Sequence, residues 1–182
     1  MKAYSDFIDR IFLQDGLLGK LTPGEPLSSD LLLRVRAAAD ATVSGGRSIG
    51  HAENFALIRG GLFYAIDALQ EAHAIFQNVK NDLAAYWHGM MHRREGDFEN
   101  ARSWYRRAGA LPCCAALHRA ASEFSADMAR QAGWDAYLLT GGCERARFGE
   151  EESVAELVKL QRVEFAEVFD YTWRQCALTQ QG

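Results

Sequence analysis

Apolar residues recur at intervals of three and four positions along most of this chain, which is the spacing of one face of an α-helix. The first such stripe is formed by Tyr4, Phe7, Ile8, Ile11 and Phe12. No alternating pattern of apolar and polar residues, which would be typical of a β-strand, extends beyond a few positions. The pattern therefore predicts an all-α fold.

Turn-forming and capping residues divide this pattern into about seven to eight helices. Residues 13–27 are rich in glycine and proline and are predicted to form a loop, and a helix follows up to about Val43. Another helix begins near His51, where Gly60 and Gly61 either kink it or separate two helices. The first half of the chain thus predicts short helices joined by glycine-containing turns.

The second half of the chain has clearer boundaries. Predicted helices cover residues 62–78, 82–95, 98–108 and 112–132, followed by a short helix that begins near residue 135. The last helix begins near Gly149, where three consecutive glutamates (150–152) suit the positive end of a helix dipole. It extends to about Cys176 and is predicted to be the longest helix.

Composition agrees with an all-helical chain. Alanine is frequent, and the 3 prolines leave residues 27–111 without a helix breaker. A length of 182 residues is enough for one sizeable core. We therefore assign residues 1–182 to a single all-helical domain.

Charge and cysteine content argue against several classes of protein. The net charge of −4 at pH 7 does not suit nucleic-acid binding through bulk positive charge. No apolar run approaches the length of a membrane span, and the first residues do not resemble a signal peptide. The 4 cysteines have no paired spacing. These features predict a cytoplasmic protein without nucleic-acid or membrane partners.

Residues 82–112 resemble one tetratricopeptide repeat, a pair of antiparallel helices that approach closely where small residues lie. Gly89 and Ala101 occupy the small positions, and Tyr105 stands where it would fill the groove between the helices. Pro112 closes the unit, and no second unit follows at the usual period. The resemblance implies a tetratricopeptide-like antiparallel helical stack in which other helices cover the lone unit.

The string HGMMHRREGDFENARSWYRRAG also resembles a motif of uncharacterised bacterial and fungal proteins. In that family an H-x-x-x-H-R-R-E-G-D segment follows a helix that ends in H-x-x-x-Q, which here is His73 to Gln77. The segments at 134–138 and 161–165 are similar to further parts of the same family. This resemblance implies a shared fold and no particular chemistry.

Histidines stand where a repeat of this kind usually has large apolar residues. His88 and His92 lie four positions apart on one helix face, and Glu95 follows on the same stripe. His73 interrupts the apolar stripe of the preceding helix. If residues 62–78 and 82–95 form an antiparallel hairpin, His73 lies level with His88, and Asp67 lies near His92. We therefore expect one polar pocket that contains three imidazoles.

This pocket has three interpretations. His73, His88 and His92 could bind a divalent metal ion such as zinc, iron or nickel, with a carboxylate as a further ligand. The same residues could line a metal-free pocket for a polar ligand, or they could be neutral histidines hydrogen-bonded within the core. The H-E-x-x-H motif of zinc proteases is absent, because Gly89 stands where its glutamate would be.

Two pairs of arginines follow the histidines. Arg93–Arg94 and Arg106–Arg107 lie on consecutive predicted helices and could jointly hold a phosphate or a carboxylate. Alternatively, Arg93 and Arg94 stabilise the C-terminus of their helix and pair with nearby acidic residues. Both alternatives stay open at the level of sequence.

Two functional hypotheses follow. The first is a non-catalytic binding or scaffold protein for a peptide, a partner protein or a small anion, which would be bound by polar groove residues: His73, Gln77, His88, His92, Arg94, Glu95 and Asn100. The second is a metal-dependent hydrolase with the three histidines as ligands and Glu95 or Glu164 as general base. A homodimer formed through the first or the last helix is a further hypothesis.

Overall fold

The computed structural model describes residues 4–149 and 153–179, and within these ranges the only β-type contact is an isolated bridge between Ser48 and Thr179. The described chain contains 11 helices. In order they are α1 (Asp6–Phe12), α2 (Ser29–Ala37), α3 (Asp40–Ser44), α4 (Ala52–Ala65), α5 (Leu69–Phe76), α6 (Asp82–Glu95), α7 (Phe98–Ala108), α8 (Cys114–Ser122), α9 (Ala126–Ala129), α10 (Ala136–Arg147) and α11 (Val154–Gln175). The all-α prediction is confirmed.

The helix count exceeds the prediction because two predicted helices are interrupted. The helix expected to reach Val43 is divided by extended backbone at Ala38 and Ala39 into α2 and α3. The helix expected over 112–132 is divided into α8 and the single-turn α9, whose start is capped by the Ser125 side chain. Short helices thus occupy stretches that the sequence pattern joined into longer ones.

Gly60 and Gly61 do not divide a helix, because α4 continues through them. A Cβ at Gly60 would lie 2.3 Å from Phe76 Cε1, and one at Gly61 would lie 2.9 Å from Phe169 Cδ2. Both glycines therefore let neighbouring aromatic rings pack against the α4 backbone. The chain turns instead after Ala65, where Asp67 adopts a left-handed φ of 64°.

The long C-terminal helix is confirmed as α11, but it starts later than expected. Ser153 caps it by accepting a hydrogen bond from the Glu156 amide, and the helix then runs for 22 residues. The predicted glutamates 150–152 lie outside the described residues. Gly141 and Gly142 lie inside α10, so the short helix predicted near residue 135 is longer than expected.

The helices α6 and α7 form the pair predicted over 82–112. A Cβ at Gly89 would lie 2.9 Å from two ring atoms of Tyr105, so glycine is what lets this ring fill the groove. Ala101 and Tyr105 are buried beneath α6. The resemblance of this arrangement to a tetratricopeptide stack stays a prediction.

Aromatic residues link α6 to the rest of the core. The Trp87 ring stacks on Phe76 of α5 with centroids 5.4 Å apart and meets Phe165 of α11 edge-on at 5.9 Å. Its indole N–H donates to the Thr172 hydroxyl at 3.0 Å. Helix α6 is therefore surrounded by α4, α5, α7 and α11. Every helix in the described ranges is too short or too polar to span a bilayer.

Candidate functional site

Helix α6 has well-defined ends that fix the orientation of its side chains. The Asn81 side chain accepts a hydrogen bond from the Ala84 amide at 2.8 Å and so caps the N-terminus. Gly96 ends the helix in a left-handed conformation with φ of 81°, which favours glycine. Between these ends, His88 and His92 project from one face because they are one helical turn apart.

Helix α5 brings His73 to the same place, so the three imidazoles form one cluster. One potential ligand atom from each of His73, His88 and His92 lies within 4.8 Å of those of the other two. The ring centroid of His73 lies 4.8 Å from that of His88 and 5.1 Å from that of His92. The sequence spacing predicted this proximity, and the structure shows it.

Burial of the cluster is uneven. His88 and His92 are 3% and 5% exposed, whereas His73 is half-buried and forms the outer wall. The Trp104 ring of α7 stacks on His88 with centroids 4.0 Å apart and rings nearly parallel. The cluster therefore lies beneath a partly open surface, between α5 and α7.

The two buried imidazoles have few hydrogen-bond partners. Neither ring nitrogen of His88 has a hydrogen-bond partner among the described residues. His92 Nδ1 lies 3.2 Å from Glu95 Oε2, within ion-pair distance but outside hydrogen-bond geometry. Since burying a polar group without a partner is unfavourable, the His88 ring is not explained by folding alone.

The protonation state of His88 is set by its surroundings. Burial lowers its pKa from the ordinary value of 6.5 to about 3, with further lowering by the charges of His92, His73, Lys80 and Arg107. The imidazole is therefore neutral at pH 7. A neutral ring nitrogen with a free lone pair is the form that binds a metal ion.

One hydrogen bond defines the tautomer of His92. The Asn100 amide nitrogen lies 3.3 Å from His92 Nε2, and because an amide NH₂ only donates, Nε2 accepts. The ring proton is then on Nδ1, which faces Glu95. Carboxylates commonly hold metal-binding histidines in this way, with the opposite nitrogen directed at the ion.

Arg94 does not belong to the groove, and its prediction as a ligand-binding residue is wrong. Its guanidinium is fully buried, forms an ion pair with Asp67 and donates to the Tyr64 carbonyl at 2.9 Å. Asp67 therefore faces Arg94 and not His92. The reason is helical geometry, since positions 92 and 94 project from nearly opposite faces of α6.

Glu164 faces inward as one hypothesis required, yet it does not complete the histidine cluster. Its carboxylate forms a buried ion pair with Arg93 and accepts a hydrogen bond from the Tyr86 hydroxyl at 3.0 Å. Its role as general base is therefore contradicted. The proposed joint anion site also fails, because the side chains of Arg93 and Arg94 are both completely buried.

Of the remaining predicted ligand-binding residues, Asn100 lies at the histidine cluster and Gln77 does not. Asn100 contacts His92, whereas the Gln77 residue is exposed at the end of α5. The Gln77 backbone carbonyl accepts a hydrogen bond from Lys80 Nζ at 2.6 Å. Gln77 thus lies at the edge of the site and not among the imidazoles.

Sequence reasoning did not place Trp104, Lys80 or Arg107 beside the histidines, although it had named Arg107 in the predicted joint anion site. The Arg107 guanidinium lies 5.1 Å from the centre of the Trp104 ring. Lys80 and Arg107 are both close enough to influence the charge state of His88. The spacing of Asn100, Trp104 and Arg107 along one face of α7 is a local signal that could have found two of them.

Comparison of this chain with protein-family models, with curated proteins and with solved structures finds no match. The function must therefore be inferred from the geometry and chemistry of the site itself.

Proposed function

We propose that this protein is a helical binding protein whose ligand is a divalent transition-metal ion, held by His73, His88 and His92. The observation that carries the proposal is the convergence of three imidazoles at a place where the buried His88 ring has no hydrogen-bond partner among the described residues. A metal ion would occupy the free lone pairs and so remove the cost of burying them. Imidazole ligands suit zinc, nickel and iron.

The size of the cluster supports such a site. Nitrogen ligands at 2.0–2.1 Å around a tetrahedral zinc ion are about 3.4 Å apart. The atoms here lie within 4.8 Å of one another, so small side-chain rotations bring them to that spacing. At His92 the ion would take the place of the Asn100 amide hydrogen on Nε2, while Glu95 holds Nδ1.

Metal content of untagged protein tests the proposal. We expect about one equivalent of zinc, iron or nickel in the wild type, measured by elemental mass spectrometry, because the described part of the chain offers one set of three histidine ligands. The double variant His88→Ala/His92→Ala should bind none. His51→Ala is the matched control, because this exposed histidine lies at the start of α4, away from the cluster.

A second test measures zinc binding by calorimetric titration of protein from which a chelator has removed all metal. Loss of binding in the double variant, with an unchanged circular dichroism spectrum and unchanged binding by His51→Ala, supports the site. Wild-type protein that binds no zinc, nickel or iron after chelation and reloading contradicts it.

A metal-dependent hydrolase is a second proposal, and Glu95 is the observation that favours it. Three protein ligands leave a coordination position open for water or substrate. Glu95 is partly exposed and lies 3.2 Å from His92 Nδ1, so as general base it would act on the metal-bound water through a bridging water. Zinc-loaded protein should then hydrolyse 4-nitrophenyl phosphate or acetate, and Glu95→Gln should abolish turnover while retaining zinc. Zinc binding without turnover would contradict the hydrolase proposal and would retain only the metal-binding function.

We also propose that the protein acts in the cytoplasm and that its helices stack as in tetratricopeptide proteins. None of the described cysteines is in a disulfide, which suits a reducing compartment. Cell fractionation tests the location, and an experimental structure compared with repeat proteins tests the stacking.

A further inference from the structure

Charged side chains around the three histidines are divided by sign. The carboxylates of Glu95 and Asp97 lie on the His92 side, with oxygens 3.2 and 3.9 Å from His92 Nδ1. Arg107 lies over the Trp104 ring that stacks on His88, and Lys80 binds the carbonyl of Gln77 at the end of α5, the helix that carries His73. An ion held by the histidines would therefore have acidic groups on one side and basic groups on the other.

The positions of the two basic residues depend on the helices that carry them. Arg107 lies over the Trp104 ring, which itself covers His88. Lys80 lies in the turn between α5 and α6, and its amine is bound to the carbonyl at the end of α5, one turn beyond His73. Both residues are exposed.

Neither basic side chain is neutralised by a carboxylate. The described part of the chain places no acidic group within ion-pair distance of Lys80 or Arg107. By contrast, Arg93 and Arg94 on α6 are both paired with buried carboxylates. Two exposed cations without acidic partners, on different elements beside the same cluster, are suited to bind an anion from solution.

We propose that the metal ion in this site takes a small oxyanion, a phosphate or a carboxylate group, as its exogenous ligand, with Lys80 and Arg107 binding the anion. This inference rests on the proposed metal-binding function and adds the chemical class of the second ligand. Three neutral imidazoles leave the charge of a divalent ion uncompensated, so an anion is the favoured ligand at the open position. The carboxylates on the His92 side repel the anion and orient it toward the cations.

Cobalt-substituted protein provides the test, because its visible spectrum reports each change in coordination. The cobalt protein is titrated with inorganic phosphate, with acetate and with imidazole, which is a neutral ligand for the same position. We expect phosphate or acetate to bind, and the double variant Lys80→Gln/Arg107→Gln to weaken that binding roughly tenfold through loss of two charge-assisted contacts. The double variant should still bind cobalt, and its affinity for neutral imidazole should change far less than its affinity for the anions. Arg106→Gln is the matched control, since Arg106 is exposed on α7 but lines a different cavity, beside Cys114 and Trp134.

The outcomes separate the two claims. Weakened anion binding only in the double variant supports the inference, and the preferred titrant identifies phosphate or carboxylate as its class. Cobalt binding without a response to either anion, or with a response that the double variant does not alter, overturns the inference and leaves the metal site standing. Absence of cobalt binding overturns the proposed function and this inference with it.

Discussion

Helix α6 carries two buried polar clusters on different faces, and they are built in opposite ways. Arg93 and Arg94 meet the carboxylates of Glu164 and Asp67, which come from elements far away in sequence. His88 and His92 meet other imidazoles and the Trp104 ring, and their polar neighbours are the Asn100 amide and the Glu95 carboxylate, both beside His92. The paired cluster is explained by folding, whereas the unpaired cluster is unfavourable unless a ligand binds there.

Removal of a carboxylate from the paired cluster should have the largest effect. We expect Glu164→Ala to lower the free energy of unfolding by about 3–5 kcal/mol, because it leaves the Arg93 charge buried without a counter-ion. Urea unfolding followed by circular dichroism measures the change. Glu53→Ala is the control, since its exposed carboxylate on α4 should alter stability by less than about 0.5 kcal/mol. An equally small effect of Glu164→Ala would show that the ion pair is not structural.

Metal binding to the histidine cluster should stabilise the folded protein. Zinc at about 100 times its dissociation constant should raise the free energy of unfolding by about 2.7 kcal/mol, since only the folded state assembles the three ligands. The rise in unfolding temperature is measured by calorimetry with and without chelator. His88→Ala/His92→Ala should show no rise, and a rise of the same size in that variant would place the metal elsewhere.

The unpaired cluster should also make metal-free protein sensitive to acid. The pKa of His88 is about 3 in the folded protein against 6.5 ordinarily, so between these values the unfolded state binds the extra proton. Stability contributed by neutral His88 is thus complete above about pH 6.5 and is lost as pH falls toward 3, by at most about 1.4 kcal/mol per pH unit. Urea unfolding at several pH values measures this slope. His88→Leu should have a shallower slope, and identical slopes in the two proteins would refute this origin.

The smallest predicted effect is an increase in the free energy of unfolding, whereas Glu164→Ala should decrease it. In metal-free protein at pH 7, His88→Leu should raise the free energy of unfolding by about 1 kcal/mol, because an apolar side chain replaces a buried imidazole without partners. Urea unfolding of the chelated proteins measures this gain. Destabilisation by His88→Leu would indicate that the imidazole is a structural element like Arg93.

Local pattern was sufficient for much of the fold. The spacing of apolar residues predicted helices at α6, α7 and α11, because residues on one helical face recur every three to four positions along the sequence. The same geometry placed His88 and His92 on one face, and the hairpin argument placed His73 opposite them. These predictions needed only contacts between neighbouring turns or between consecutive helices.

The sequence alone thus determined the all-α class of this protein, the helices α6, α7 and α11, and the approach of its three histidines. Tertiary structure decided which polar residues are paired, because Arg93 meets Glu164 across 71 positions and Arg94 meets Asp67 across 27. It also decided the turn at Asp67 and the stacking of Trp104 on His88, which depend on how separate helices pack. Helical periodicity records which face a residue occupies, but it does not record what lies on the other side of the core.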